Sequence, residues 1–219
     1  TMLSMSENIF SYTLQGNLRD VEYTFSIKRG LNEYNDLLDP YSYALNATRS
    51  ASVVVDFNRI NEMVDFSYGY KNPTNILNHF YYGVHVEHFS SSQSWNGSEE
   101  KRGKFLGLIE ENLRVQNVAI GYDYLKSLPI SHIELMPVYS FLEDEYSMGY
   151  EAFSPFAISS RYSSNEVELS PIFEFKEVIS KFQKNNKGII MRVDFSYFEP
   201  NFCQNISVFG VDIFDNNCL

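Results

Sequence analysis

The sequence is short of tryptophan, cysteine, proline and positive charge. It has one Trp, two Cys and seven Pro in 219 residues, and 17 Lys and Arg against 28 Asp and Glu. The shortage of cations leaves a net charge of −11. A surface of that sign repels polyanions, so nucleic acid and anionic membranes are not expected as partners. No run of 18 apolar residues occurs, so no membrane-spanning helix is expected. No basic stretch followed by an apolar segment opens the chain, so no signal peptide is visible and the expected location is the cytoplasm. The start at Thr1 marks the chain as an expected fragment whose N-terminus is incomplete. Cys203 and Cys218 both lie near the C-terminal end; free thiols are expected, with pairing as the alternative.

Chemical motifs are also missing. There is no Gly-x-Ser-x-Gly turn and no Gly-rich phosphate loop, and no cofactor is expected. In His85-Val86-Glu87-His88, read as part of a strand, His85 and Glu87 share one face and His88 lies on the other, so no metal site is expected. The acidic run Glu143-Asp144-Glu145 lacks calcium-ligand spacing and reads as solvated surface.

What the chain does have is 18 Phe and 16 Tyr, with 44% hydrophobic and 21% charged residues, a globular composition. Two readings of the aromatic excess stand side by side. One is a compositional bias of the coding sequence. The other is a surface for sugars, whose CH-rich faces pack on aromatic rings. The three Asn-x-Ser/Thr triplets, at Asn46, Asn96 and Asn205, are expected by chance in an Asn- and Ser-rich chain.

Periodicity divides the chain. Residues 1–62 read as all-β, with an alternating strand over 20–27 and a second strand over 51–57 around Val53-Val54-Val55. Two or three such strands do not make a stable module alone, so they either have a partner sheet upstream or pack on the next domain. A turn-rich connector covers 63–78. From there strands and helices alternate: strand 80–89, helix 117–128, strand 131–139, a long loop from 140 to about 170, a helix opened by Ser170 as cap and Pro171, and a last strand over 188–197. Gly188 comes after the second helix as its terminating glycine. The β-α-β-α-β order implies a parallel sheet. In such sheets ligands sit at the C-terminal strand ends, which makes Asp194, Ser196 and Tyr197 the first candidates for chemistry.

Several segments, taken in order, resemble the α-amylase superfamily (glycoside hydrolase family 13), close to type I pullulanases. Tyr82-Gly83-Val84-His85-Val86-Glu87-His88-Phe89 is similar to the first strand of that family's barrel, and Lys104-Phe105-Leu106-Gly107-Leu108 to the loop after it. Ser131-His132-Ile133-Glu134-Leu135-Met136-Pro137 resembles the second strand. Tyr146-Ser147-Met148-Gly149-Tyr150-Glu151 resembles a loop of Asn-Trp-Gly-Tyr-Asp type, and Glu174-Phe175-Lys176-Glu177-Val178 the helix before the third strand. Leu38-Asp39-Pro40-Tyr41 and Val53-Val54-Val55-Asp56 resemble the end of a preceding β-sandwich. The resemblance implies an α/β chain: the end of an antiparallel β-sandwich module over 1–62, then the first three βα units of a partial (β/α)8 TIM barrel over 63–200. The remainder, 201–219, is a tail, with 208–214 as a candidate extra edge strand.

The family cleaves α-glucosidic bonds with a carboxylate nucleophile and a carboxyl acid/base. Those groups lie on its fourth and fifth strands, which this chain does not contain, so the resemblance implies no catalytic residue here. The third-strand motif of Asp-Val-Val-Tyr-Asn-His type aligns with Arg192-Val193-Asp194-Phe195-Ser196-Tyr197, so the Asp, Asn and His are replaced. Asp194 is two places along on the same face, either a substitute carboxylate or a solvated one. Glu87 and His88 stand where an Arg-Asp pair is usual. Tyr150 matches a sugar-stacking Tyr and otherwise reads as a packing Tyr. Substrate-binding candidates are therefore Tyr150, Asp194 and Tyr197, with an α-glucan as partner. The expected function is a truncated, inactive pullulanase-like fragment. The alternative is a non-catalytic glucan-binding or protein-interaction module. Open sheet edges add an expectation of poor stability or self-association.

Overall fold

A computed structural model describes residues 3–6, 9–72, 74–75, 77, 79–142, 147–165, 167, 169–194, 198, 203 and 208–209. The N-terminal part holds β1 (Leu3–Ser6), β2 (Ile9–Ser11), β3 (Glu22–Tyr23), β4 (Phe25–Arg29), β5 (Asn32–Leu37), β6 (Ser52–Val53) and a helix, α1 (Phe57–Met63). These strands pair antiparallel two by two: β1 with β2, β3 with β6, β4 with β5. The strand expected over 20–27 is thus two strands with different partners. The strand expected over 51–57 shrinks to β6, because Asp56 accepts hydrogen bonds from the amides of Asn58 and Arg59 and starts α1.

Ala44, Val53 and Ile60 from this region form one buried cluster with Leu169 and Ile172 of the C-terminal half. Ser180 Oγ donates to the Asp65 carbonyl and Tyr68 to Gln183. The N-terminal region thus packs on the C-terminal half through β6 and α1.

The rest is a mixed α/β unit. Along the chain come β7 (Tyr81–Val84), α2 (Val86–Ser90), the hairpin of β8 (Arg114–Val115) and β9 (Val118–Ala119), and α3 (Gly121–Ser127). Next are β10 (His132–Leu135), β11 (Tyr139–Phe141), β12 (Ala152–Ile158), α4 (Ser170–Gln183) and β13 (Gly188–Met191). The three strands β7, β10 and β13 form one parallel sheet with β10 central. Leu135 lies level with Val84 on one side and Met191 on the other. Ile133, Leu135, Val84, Phe105, Leu125, Phe175, Val178 and Phe182 close the main core around this sheet. The sheet is open, and the described residues form no closed barrel.

Several expectations are corrected. The strand over 80–89 stops at Val84, because the His85 ring accepts from the His88 amide and caps α2. Val86-Glu87-His88 is therefore helical, and His85 is its extended cap. The helix over 117–128 is shortened to Gly121–Ser127, with Tyr122 and Leu125 buried and Tyr124 partly exposed. The strand over 131–139 ends at Leu135, and Tyr139 opens a separate strand, β11. The long loop after residue 140 contains β12, paired antiparallel with β11. Pro155 lies within this strand. It sits where the β11–β12 register is irregular, the place a sheet tolerates a residue without an N–H.

At α4 the cap position is Leu169 and Ser170 is already helical. At its other end Asn186, not Gly188, takes the left-handed conformation (φ 56°). Val208 and Phe209 are helical rather than extended; the rest of the expected edge strand lies outside the described residues. Cys203 is disulfide-bonded rather than a free thiol.

Gly188 has a packing reason instead. A Cβ there would stand 2.4 Å from His132 Cδ2 and 2.5 Å from the Tyr70 hydroxyl. The His132 ring is itself wedged against His79 and Tyr81. Gly188→Ala is expected to cost about 1–3 kcal/mol by overpacking. The check is a lower urea midpoint with an unchanged slope.

Candidate functional site

The parallel ladder brings three strand ends to one level, and side chains from all three strand–loop junctions collect there. Glu134 on β10 lies level with Ile190 on β13. Arg192, two residues past Ile190, falls on the same face. Its Nε donates to Glu134 Oε1 at 2.8 Å, and its Nη2 lies 2.6 Å from the same oxygen. Its Nη1 donates to the Tyr150 hydroxyl at 3.4 Å. The bonds to Tyr150 and Glu134 raise the arginine above its ordinary pKa, so it stays charged. The Arg192 amide meanwhile continues the ladder by donating to the Leu135 carbonyl at 2.9 Å.

Tyr150 is delivered by the turn at Gly149. That residue has φ 89°, and a Cβ on it would sit 3.0 Å from the Pro137 carbonyl. A glycine is needed for both reasons. Beside it, Tyr139 is buried and its hydroxyl donates to the backbone carbonyl of Asp194 at 3.4 Å. Burial pushes the Tyr139 phenol up to about 12, so it remains a donor. The structure thus groups Tyr150 and Asp194 around the end of β13. Tyr197 and Ser196 lie outside the described residues.

Sequence reading missed Glu134. Only the β10–β13 register, which the sequence does not show, sets Glu134 level with Ile190 and so on one face with Arg192. A positive charge where the resemblance implies a carboxylate is thus countered by a neighbouring carboxylate.

The end of β7 carries a second cluster. His85 is buried, stacks on His88 with centroids 4.1 Å apart, and leaves Nε2 without a hydrogen-bond partner. Glu87 accepts from Arg161 Nε at 2.7 Å. The carboxylate that stands in place of an arginine therefore finds its cation on another loop. Among the described residues no group of three or more His, Cys, Asp or Glu is placed to hold a metal.

No protein-family model matches the chain. A pullulanase of Bacillus subtilis (strain 168) is 26% identical over 205 residues, covering 90% of this chain and 28% of that protein. The relationship is to the pullulanases, within the α-amylase superfamily. The solved pullulanase from Bacillus acidopullulyticus superposes with a TM-score of 0.80 at 21% identity, over 99% of this chain and 26% of its own. The pullulanase from Anoxybacillus sp. LM18-11, solved as a complex with maltotetraose, gives 0.80 at 22% identity, over 90% and 29%. The chain spans under a third of the length of these pullulanases.

The His85 cluster predicts a pH effect. Burial first, then the neighbouring His88 and Arg161, lowers His85 to about 4, against the opposing pull of Glu87. Its ordinary value is about 6.5. Between these values the unfolded chain binds a proton that the folded one refuses. Stability is therefore full above about pH 6.5 and falls as pH drops toward 4. Glu87, held below its ordinary value chiefly by its hydrogen bond from Arg161, starts to lose its own contribution only at lower pH. A loss of about 2 kcal/mol from His85 is expected between pH 7 and pH 5. His85→Asn keeps a cap acceptor and should flatten that pH dependence in urea titrations.

Proposed function

We propose that this chain is a segment of a type I pullulanase-like glycoside hydrolase that binds α-glucan and does not hydrolyse it alone. In this reading residues 1–62 are the end of a β-sandwich module, 63–200 the first three βα units of a (β/α)8 barrel, and 201–219 a tail. The open three-stranded parallel sheet and the relationship to pullulanases support that division.

The observation that carries the functional reading is the occupied strand tip. Retaining glycosidases need two carboxyl groups about 5 Å apart across the scissile bond, one to attack and one to protonate. At the β10 and β13 ends the Glu134 carboxylate is already bound by Arg192, and Arg192 is bound to Tyr150. That chain of contacts orients an aromatic ring and ties the Glu134 carboxylate to a cation rather than leaving it free to attack or protonate. Tyr150 is the residue that contacts sugar by ring stacking, with Asp194 near it at the end of β13; Tyr197, the third candidate, lies outside the described residues.

Incubation of the purified chain with pullulan is expected to release no reducing sugar; any turnover above buffer overturns the inactive reading. The chain is expected to be retarded in native gels containing glycogen or pullulan, and Tyr150→Ala to weaken that retardation about tenfold in apparent Kd. Unchanged mobility of the wild-type chain in both gels overturns the binding reading. The exposed edges β7 and β13 further predict concentration-dependent self-association, read by sedimentation velocity, with a single monomer boundary at all concentrations as the opposing result.

A further inference from the structure

Two segments remote in sequence run side by side between the N-terminal strands and the β12 region. At one end Tyr41 and Phe156 are stacked, with ring centroids 5.7 Å apart and planes at 23°. Both are well exposed, Tyr41 at 51% and Phe156 at 39%. Tyr43 and Phe57 extend the aromatic surface with an edge-to-face pair at 5.0 Å. A few residues further along the same two segments, Leu45, Ala47 and Thr48 face Ser160, Arg161 and Ser164 across a cavity of about 430 Å³. Lys104 also lines it and spends one N–H on the Arg161 carbonyl at 2.6 Å. None of these residues belongs to the Glu134–Arg192–Tyr150 cluster.

The aromatic end is held in place before any ligand arrives. Asp39 accepts from the Tyr41 amide at 2.9 Å and from the Tyr23 hydroxyl at 2.6 Å. With its backbone held by Asp39 and its ring stacked on Phe156, Tyr41 loses little freedom on binding. Exposed aromatic patches of this kind mark interaction sites. The mixed lining then selects the occupant. An apolar helix or strand from a partner protein would cover the rings but leave the Ser160 hydroxyl and the Lys104 ammonium facing apolar atoms, which is costly. A polyanion meets a chain of net charge −11, and the cavity's arginine is already paired with Glu87. A neutral saccharide satisfies both ends at once: its CH faces lie on the rings and its hydroxyls meet Ser160 and Lys104.

We propose that this groove is a second saccharide site for an α-glucan chain, separate from the strand tips. The choice of α-glucan over other neutral saccharides rests on the reading under Proposed function; the groove itself does not. The test is calorimetric titration of the full chain with maltotetraose, comparing wild type with Tyr41→Ala, Phe156→Ala, Ala47→Trp and Tyr150→Ala. All four positions are exposed or half-exposed, and superimposable thermal melts confirm that each variant is folded. Tyr41→Ser replaces a groove variant that is not, and Tyr150→Ser replaces Tyr150→Ala.

The expected result is two binding events in wild type. Tyr41→Ala, Phe156→Ala and the cavity-filling Ala47→Trp should each weaken one event by about tenfold or more, and Tyr150→Ala the other. Binding that is lost in Tyr150→Ala and unchanged in the three groove variants overturns the second site while sparing the functional reading. Binding lost only in the groove variants upholds the groove and overturns the strand-tip role of Tyr150. No binding by wild type overturns both.

Discussion

Everything in this fold is referred to the central strand β10. It is the one strand of the parallel sheet with neighbours on both sides, and its side chains at 133 and 135 lie in the middle of the main core. A parallel ladder has a further consequence that an antiparallel one does not: all its strands end in the same direction. The residues after Val84, Leu135 and Met191 are therefore forced to one level whatever their chemistry. That is why His85, Tyr139 and Arg192 collect at one end of the sheet although they are far apart in sequence. A slip of one residue between β10 and β13 would carry Arg192 to the opposite face from Glu134. The charge pair is a product of the β10–β13 register.

How much of this was legible in the sequence depends on whether local or distant groups decided the outcome. The three parallel strands and α4 were legible because their apolar runs are long enough to dominate their neighbourhoods. Boundaries were misread where a side chain reached back to its own backbone. Asp56 converts the end of an apparent strand into α1, and His85 does the same after β7. Both are capping contacts, and neither residue interrupts the hydrophobic pattern that period-counting reads. β12 lay inside what reads as a long loop; it spans Pro155, where the β11–β12 pairing is irregular and needs no N–H from it. Gly188 was assigned a helix-ending role that Asn186 performs, since nothing local shows that His132 and Tyr70 press on the glycine.

The candidate site was legible in place and not in partnership. That the last strand ends level with the other two is a consequence of strand order alone. That Arg192 would be bound to Glu134 and touch Tyr150 needed the register and the path of the Gly149 turn. The same holds for Glu87, whose cation comes from Arg161 on a loop 74 positions away. Replacements that look like isolated losses when a single motif is read turn out to be locally compensated.

This compensation bears on what the surface can bind. The chain is strongly acidic, yet the cations nearest its concave regions are engaged: Arg192 by Glu134, Arg161 by Glu87, and Lys104 by a backbone carbonyl. An arginine held by a carboxylate presents little net charge to a ligand, so neither the strand tips nor the groove beside Tyr41 offers an unbalanced field to attract an anion. What these regions do offer is aromatic faces rimmed by hydroxyls and amines. Surfaces of that kind discriminate by shape and by paired CH–ring and hydrogen-bond contacts rather than by charge. In the proposed reading the acidic balance and the aromatic excess, separate oddities in the composition, act together: one disfavours anionic ligands, and the other supplies ring contacts for a neutral one.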